Sequence, residues 1–512
     1  MKKNLLKIIP LMLSGCLFLS GCNAAFFGIP GLFYETNEYL SDMDLSEFEE
    51  DWEDSDIWSW PDTGEYTPEY WEEGYTYETP EGAEPGSVTV FIYMNGSNLE
   101  TQAGCATTDL KEILKAGYSK DVNVVIQTMG TKYWSKTLGI ASDRSQTYVI
   151  SKDGLELVRD DLGQLDCTDE ETLREFIEYG KNAYPAQRNI LLFWDHGGGP
   201  AYGFGWDEFQ DEYENLSINE MVGAIKQNRM HFDFIGMDCC TMSCLEIAYA
   251  LRDCCDYAVL SEDYESELGW YYTNWFSALY DEPDIPTPAL GKIIIDDMVK
   301  KNEEDSLKGD RAILALIDES KTEKLWDAWI DFAYENEDKL LATNYSQEME
   351  GTGKGKGLTK RFKGALLEYI IDEADDYYNE NYLSEYCITD LIGLASIIDS
   401  DQSDKLIEAA EDAIMYVCAT SDDLSLTGMS VTLPYGDFVL YNDLKKILQN
   451  CSFDPGYIEW LHAFCSFEGT ERFNWDEWGA DFWGDWGKTE DSSIWGSWGN
   501  IEMPDYMEEW DF

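Results

Sequence analysis

Three histidines, His196, His231 and His462, are the only imidazoles in 512 residues, so chemistry that needs a base or acid near neutral pH has three candidates. His231 precedes an apolar run, at the end of a strand away from any site formed at the run's other end. His462 lies in Trp460-Leu461-His462-Ala463-Phe464, an apolar helical pattern that suggests a core position. His196 alone follows an apolar run, Ile190 to Trp194, and opens into Gly197-Gly198-Gly199. Glycine lets the backbone approach a bound chain, so the N–H groups of Gly197 and Gly198 could help hold an oxyanion.

A second run, Phe232 to Met237, ends at Asp238-Cys239-Cys240. Alternate side chains of an extended segment share a face, which sets Asp238 and Cys240 on one side and Cys239 on the other. The segment Thr241 to Leu251 reads as a helix, which would put Cys240 at its N-terminus, where the dipole favours thiolate. A thiolate is a nucleophile, and a nearby imidazole can protonate a leaving amine. Asp238 would raise the pKa of an adjacent thiol, so it fits better as a group facing a cation than as an orienter. The same residues also fit a glycine-rich turn with an exposed histidine and a buried cysteine pair.

The elements that must carry these residues are legible as short apolar runs. Val88 to Met94, Val122 to Met129, Ile190 to Trp194, Phe232 to Met237 and Tyr257 to Leu260 alternate with helical patterns at Thr108 to Ala116, Glu170 to Tyr179, Ile218 to Gln227 and Met242 to Leu251. That alternation predicts an α/β fold with a mostly parallel sheet covered on both faces and ligands beyond the carboxyl ends of the strands. Those ends carry His196, Asp238 with Cys240, and Ser261 with Glu262. Further helices are expected at Leu290 to Lys300, Lys321 to Tyr334 and Asp404 to Val417, with a strand at Met429 to Pro434. The expected division is 87–290 for the domain with the candidate site and 291–470 for a helical C-terminal part that completes the fold.

Charge is the unusual feature of the composition: 35 Lys and Arg against 102 Asp and Glu give a formal charge of -67. Such a chain repels phosphate backbones, which argues against nucleic acid as a partner and suits a cationic one. No Lys or Arg occurs between Lys7 and Lys111, and residues 35 to 84 hold 19 acids among Tyr, Trp, Gly and Pro. Residues 23–86 therefore read as a disordered acidic tether and 471–512 as an acidic Trp-rich tail. Lys2, Lys3 and Lys7 precede an apolar run, Ile8 to Leu19, too short to span a bilayer, which reads as a signal peptide. It ends in Leu19-Ser20-Gly21-Cys22, similar to a bacterial lipobox, so 1–22 is expected to be a lipoprotein signal with Cys22 lipidated on the extracellular face of the membrane. Setting aside Cys16 and Cys22, eleven of 13 cysteines remain, an odd number that leaves at least one thiol unpaired. Cys239, Cys240, Cys244, Cys254 and Cys255 lack metal-ligand spacing. The loop Gly351 to Gly357, with Lys354 and Lys356, lacks both the Walker spacing and a preceding strand.

Leu192-Phe193-Trp194-Asp195-His196-Gly197-Gly198-Gly199, Gly205-Trp206-Asp207-Glu208, Asp238-Cys239-Cys240-Thr241-Met242 and Glu246-Ile247-Ala248-Tyr249, with Ser261-Glu262 and Gly269-Trp270, resemble the clostripain family of clan CD cysteine peptidases. The similarity extends through Tyr93 to Glu100, Asp161 to Gly163, Thr389 to Leu391 and Gly428 to Val431. The resemblance implies a caspase-like three-layer α/β/α sandwich, a dyad of His196 and Cys240, and an oxyanion site at the N–H groups of Gly197 and Cys240. It makes Asp238 the acid that recognises a basic P1 side chain of a protein or peptide substrate. Where the family usually has a small residue this chain has Cys239, so two adjacent thiols compete for the nucleophile's role.

Calcium and maturation by cleavage between the two motifs go with that resemblance. Asp207, Glu208, Asp211, Glu212 and Glu214 are candidates for a structural calcium ion, although the chemistry itself requires no cofactor. The only bases between the motifs, Lys226 and Arg229, sit at a helix end, so self-cleavage is expected instead within 354–363. The competing expectation is a catalytically inactive surface protein whose Trp-rich tails bind a cationic polymer or glycan.

Overall fold

The apolar runs ending at Asn95, Met129, Trp194, Asp238 and Leu260 form neighbouring parallel strands. In the computed structural model, residues 75–210, 215–304, 312–337, 340, 388–398, 400–420, 426–434, 438–451 and 453–466 are described. Cys22, Asp211, Glu212, Glu214, the 354–363 loop, the C-terminal tail and all of the tether before residue 75 lie outside them. The strands are β1 (Glu84–Asn95), β2 (Val122–Met129), β3 (Gln146–Ser151), β4 (Gly154–Arg159), β5 (Ala186–Trp194), β6 (Phe232–Asp238), β7 (Cys255–Leu260), β8 (Ile313–Asp318), β9 (Ile388–Asp390), β10 (Ile414–Ala419) and β11 (Ser430–Thr432). Nine of them make one sheet in the order β10-β8-β7-β6-β5-β1-β2-β3-β4, and β11 pairs with β9 in a second. The central five, β7 to β2 in that order, are parallel, and the pairings outward from them on both sides are antiparallel.

Both faces of the central strands are apolar, which explains why they read as runs and not as alternation. Val90, Ile92 and Met94 of β1 enter one core, with Ile190 and Leu192 of β5. Phe91 and Tyr93 enter the other, with Leu191 and Phe193. The first core is capped by α1 (Cys105–Ala116), α5 (Tyr272–Asp281) and α6 (Thr287–Glu304). The second is covered by α2 (Glu170–Ala183), α3 (Ile218–Gln227), α4 (Leu245–Leu251), α7 (Thr322–Glu335), α8 (Leu391–Ile398), α9 (Asp401–Ala413), α10 (Phe438–Asn450) and α11 (Pro455–Ser466). The result is a three-layer α/β/α sandwich.

Several local expectations need correction. The helix expected to run to Val417 stops at Ala413, and Ile414–Ala419 is strand β10, alternately half-buried and exposed, paired with β8. The β3–β4 pair and β8 carried no sequence expectation at all. The division expected at 290/291 falls inside α6, and β8 and β10 join the same sheet as β1–β7. No disulfide joins any two of the ten described cysteines. No described helix is long and apolar enough to cross a membrane.

Candidate active site

The carboxyl ends of β1, β5 and β6 adjoin where the strand order reverses about β1, the position at which open α/β sheets form clefts. A cleft of about 400 Å³, counting its open mouth, is lined there by His196, Asp238, Cys239, Cys240, Asp195, Trp194, Asp109, Glu265 and Gly269, with Leu99, Cys105, Ser266 and Glu267. The structure thus brings the His and Cys motifs, 44 residues apart along the chain, to one wall. His231 sits at the far end, stacked on Tyr77 with ring centroids 4.2 Å apart and 3.0 Å from Asp256. His462 is exposed on α11 with Tyr441 edge-on, not in the core as its apolar neighbours suggest.

His196 is held by residues from neighbouring segments. Nε2 lies 2.6 Å from Asn98 Oδ1, from the turn after β1. Asp195 is buried beside it, accepting from Ser97 Oγ at 2.6 Å and from the Trp206 N–H at 2.7 Å. Burial pushes the Asp195 carboxyl up to about 6, with His196 and the Ser97 hydroxyl pulling the other way. None of Asn98, Ser97 or Trp206 was expected as a site residue. The signal available was the Asn-Gly-Ser-Asn stretch that ends the first strand.

The thiols differ in surroundings. Strand geometry ends at Asp238, and Cys239 and Cys240 lie in the turn that follows, so the alternation of faces does not continue and both line the cleft. Burial pushes the Cys239 thiol well above its ordinary value, reinforced by the Glu265 carboxylate. Cys240 Sγ receives the backbone N–H of Glu265 at 3.3 Å, a donor that favours a sulfur anion. The helix expected from Met242 begins only at Leu245, with Cys244 as its N-cap, so Cys240 does not sit on a helix N-terminus. Thr241 adopts φ +59, a left-handed conformation unusual for a β-branched residue. The Ser243 N–H goes instead to Ser261 O, and the Ser243 carbonyl accepts from the Ser430 N–H.

Gly197 packs directly on this turn: a Cβ there would lie 2.2 Å from the Cys240 carbonyl oxygen. Gly197 bridges Phe204 through Gly198 N–H to Gly203 O and Gly205 N–H to His196 O. In a bridge of that pattern Gly197's own N–H and C=O point away from Phe204, and its C=O accepts from Thr241 Oγ1 at 3.4 Å. The Gly198 N–H, expected as a second oxyanion donor, is already spent on Gly203.

The rest of the cleft is acidic. Asp238, 7% exposed, accepts the Tyr272 hydroxyl at 2.7 Å and the Trp270 N–H at 3.3 Å. Gly269, at φ +53, lies over its carboxylate, where a Cβ would come within 3.2 Å. Both oxygens of Glu265 are buried, and its carboxyl lies against the side chains of Asp238 and Trp270. Asp109, from α1, accepts Trp194 Nε1 at 2.9 Å. All three carboxyls are held above the usual carboxylate range, first by burial and, for Asp109 and Glu265, next by the charge of Asp238. Lys301 of α6 partly offsets the shift at Asp109 and Asp238. It donates to Leu268 O at 2.8 Å, Trp270 O at 3.2 Å and Glu112 at 3.1 Å, fixing the loop that covers Asp238.

Other acids expected near the site have different work. Glu262 accepts from Gly428 N–H and Ser430 Oγ, fastening the end of β7 to β11. Asp207 accepts the N–H groups of Phe209 and Cys167, and Glu208 that of Lys132. Two of the five calcium candidates are therefore committed to protein donors, and no group of three or more potential ligands is poised to hold a metal among the described residues.

A three-layer α/β/α fold with cysteine and histidine meeting at the carboxyl edge of its parallel sheet is that of a caspase-like cysteine endopeptidase. A profile of the clostripain family matches residues 92–454, and the chain belongs to that family. Clostripain from Hathewaya histolytica is 22% identical over 415 residues, 68% of this chain and 75% of that protein. A secreted C11 cysteine protease from Bacteroides thetaiotaomicron, iotapain, aligns with 72% of this chain and 100% of its own at 16% identity and a TM-score of 0.50. A secreted C11 protease of the same organism in complex with an irreversible peptide inhibitor covers 70% of this chain and 98% of its own, at 17% identity and a TM-score of 0.49.

Proposed function

We propose that this endopeptidase cleaves after Arg or Lys, with Cys240 as nucleophile and His196 as proton donor. The observation that carries the reading is that two buried carboxyl groups side by side, Asp238 and Glu265, line the same cleft as Cys240 and His196. A cationic P1 side chain supplies what those carboxylates lack. The Cys240 thiolate adds to the scissile carbonyl carbon, and the N–H groups of Gly197 and Cys240 receive the charge developing on oxygen. His196 then protonates the departing amine, leaving a thioester on Cys240 that water hydrolyses. The contrast between the two thiols supports Cys240, since Cys239 is held protonated by burial while Cys240 has an N–H donor at its sulfur.

A peptidyl Arg-chloromethyl ketone tests this reading. It is expected to add one equivalent of mass, at Cys240, and to abolish activity. Labelling at Cys239, or none, would overturn it. The binding-only alternative is disfavoured, because a scaffold has no use for this set of groups in one cleft. Export and anchoring through lipidated Cys22 belong to the same proposal. Incorporation of labelled fatty acid that is lost in Cys22→Ser tests the anchor, and equal incorporation in the variant would exclude it.

A further inference from the structure

Thr241, next to Cys240, is held at φ +59, a conformation that persists only where the surroundings over-determine it. Two sets of hydrogen bonds do so. From the end of β7, Asp263 O accepts the Thr241 N–H at 2.9 Å and Ser261 O accepts the Ser243 N–H at 2.7 Å. From β11, the Ser430 N–H donates to Ser243 O at 2.8 Å, and just before that strand Gly428 O accepts Ser243 Oγ at 2.5 Å. Between the two sets stands Glu262, fully buried, whose main chain joins Ser261 to Asp263. Its carboxyl group reaches across to the other set: one oxygen accepts the Gly428 N–H at 2.7 Å and the other accepts Ser430 Oγ at 2.9 Å. One side chain thus ties the two supports of the Thr241–Ser243 turn to each other. Glu262 does not itself line the cleft.

Resting on the reading of Cys240 as nucleophile, we propose that Glu262 is a positioning residue: by clamping the Gly428–Ser430 segment against the end of β7, it fixes the turn that presents Cys240 to the cleft. It acts through Ser243 and Thr241 and touches no substrate.

The experiment compares wild-type enzyme with Glu262→Ala, which removes both acceptors, and Glu262→Gln, whose amide keeps an acceptor for the Gly428 N–H and can donate to Ser430 Oγ. Competent sites are counted by covalent labelling with a peptidyl Arg-chloromethyl ketone, and kcat is expressed per labelled Cys240, so unfolded molecules do not contribute. Glu262→Ala is expected to lower both kcat per labelled site and the rate of labelling by about ten- to a hundredfold, the scale of a nucleophile misplaced by ~1 Å. Glu262→Gln is expected to keep most of both. A merely stabilising role would lower the melting temperature of Glu262→Ala but leave kcat per labelled site at the wild-type value, and that result would overturn the proposal. Equal losses in the two variants would also overturn it, since the charge and not the pair of hydrogen bonds would then matter. Labelling of wild-type enzyme at a thiol other than Cys240, or no labelling, would instead defeat the reading on which the proposal rests.

Discussion

The backbone N–H of Glu265 donates to Cys240 Sγ at 3.3 Å while the side chain of the same residue lies buried in the acidic cleft beside Asp238. One residue thus touches the proposed nucleophile through its main chain and the proposed specificity pocket through its carboxyl group. Glu265→Gln separates the two: it keeps the N–H and loses the charge. Alkylation of Cys240 by iodoacetamide is expected to be no slower than in wild type, since loss of a neighbouring charge favours thiolate, while kcat/KM for Arg substrates falls by about tenfold or more. Slowed alkylation would mean that the carboxylate acts on the thiol and not on the substrate.

His196 depends on Asn98, 2.6 Å from its Nε2, for ring orientation. Asn98→Ala is expected to lower kcat by up to about a hundredfold, the scale of a misplaced catalytic group, with little change in KM. Initial-rate kinetics check this, and an unchanged kcat would remove Asn98 from the account.

Cys240→Ala is expected to abolish peptide cleavage and Cys239→Ala to retain most of it. The Cys239 thiol is buried and held protonated, so its loss removes packing and not a nucleophile. Equal loss from both substitutions, measured on folded protein, would contradict the assignment.

The raised carboxyls of Asp238, Glu265 and Asp109 make recognition of a cation dependent on pH. The empty pocket holds protons that a bound cation displaces, so the free site binds more protons than the complex. Affinity for basic P1 residues therefore rises with pH until those carboxyls are ionised in the free enzyme, and levels off above that. Proton release on inhibitor binding, read calorimetrically in buffers of different ionisation enthalpy, is the expected result. Asp238→Asn is expected to reduce that release and to cost basic substrates about 2 to 5 kcal/mol, while sparing uncharged P1 residues. Proton uptake on binding would refute this.

Lys301 fastens the Leu268–Trp270 loop to Glu112. Lys301→Met leaves those partly buried acceptors without their donor and is expected to cost about 1 to 3 kcal/mol of stability, seen as a lower melting temperature, together with a higher KM for Arg peptides. Neither effect would appear if the loop holds itself over Asp238.

How much of this was legible depended on whether the cause was local. The strands ending at Trp194 and Asp238 could be read directly, because a parallel strand buried on both faces must be an apolar run, and the polar residue that stops it marks the cleft. Strand β8, Ile313–Asp318, is also a short apolar run, yet such runs suit a helix as well as a strand. β10 follows a helical pattern without a break and is half-exposed, so its apolar signal is weak. The helix before Leu251 was expected three residues too early because propensity favours continuation, whereas the backbones of Ser243 and Cys244 are captured by Ser261 and β11.

The sequence by itself determined the alternation of strands and helices, the acidic character, and the motifs around His196 and Cys240, since each is a property of neighbouring residues. Only the tertiary structure decided which carboxylates share the cleft and which amide meets His196. Asn98, Asp109 and Glu265 lie on three separate stretches of chain, and no local pattern records that a parallel sheet, by reversing its strand order at β1, brings Asn98 to His196 and Asp109 and Glu265 to the cleft that holds Cys240.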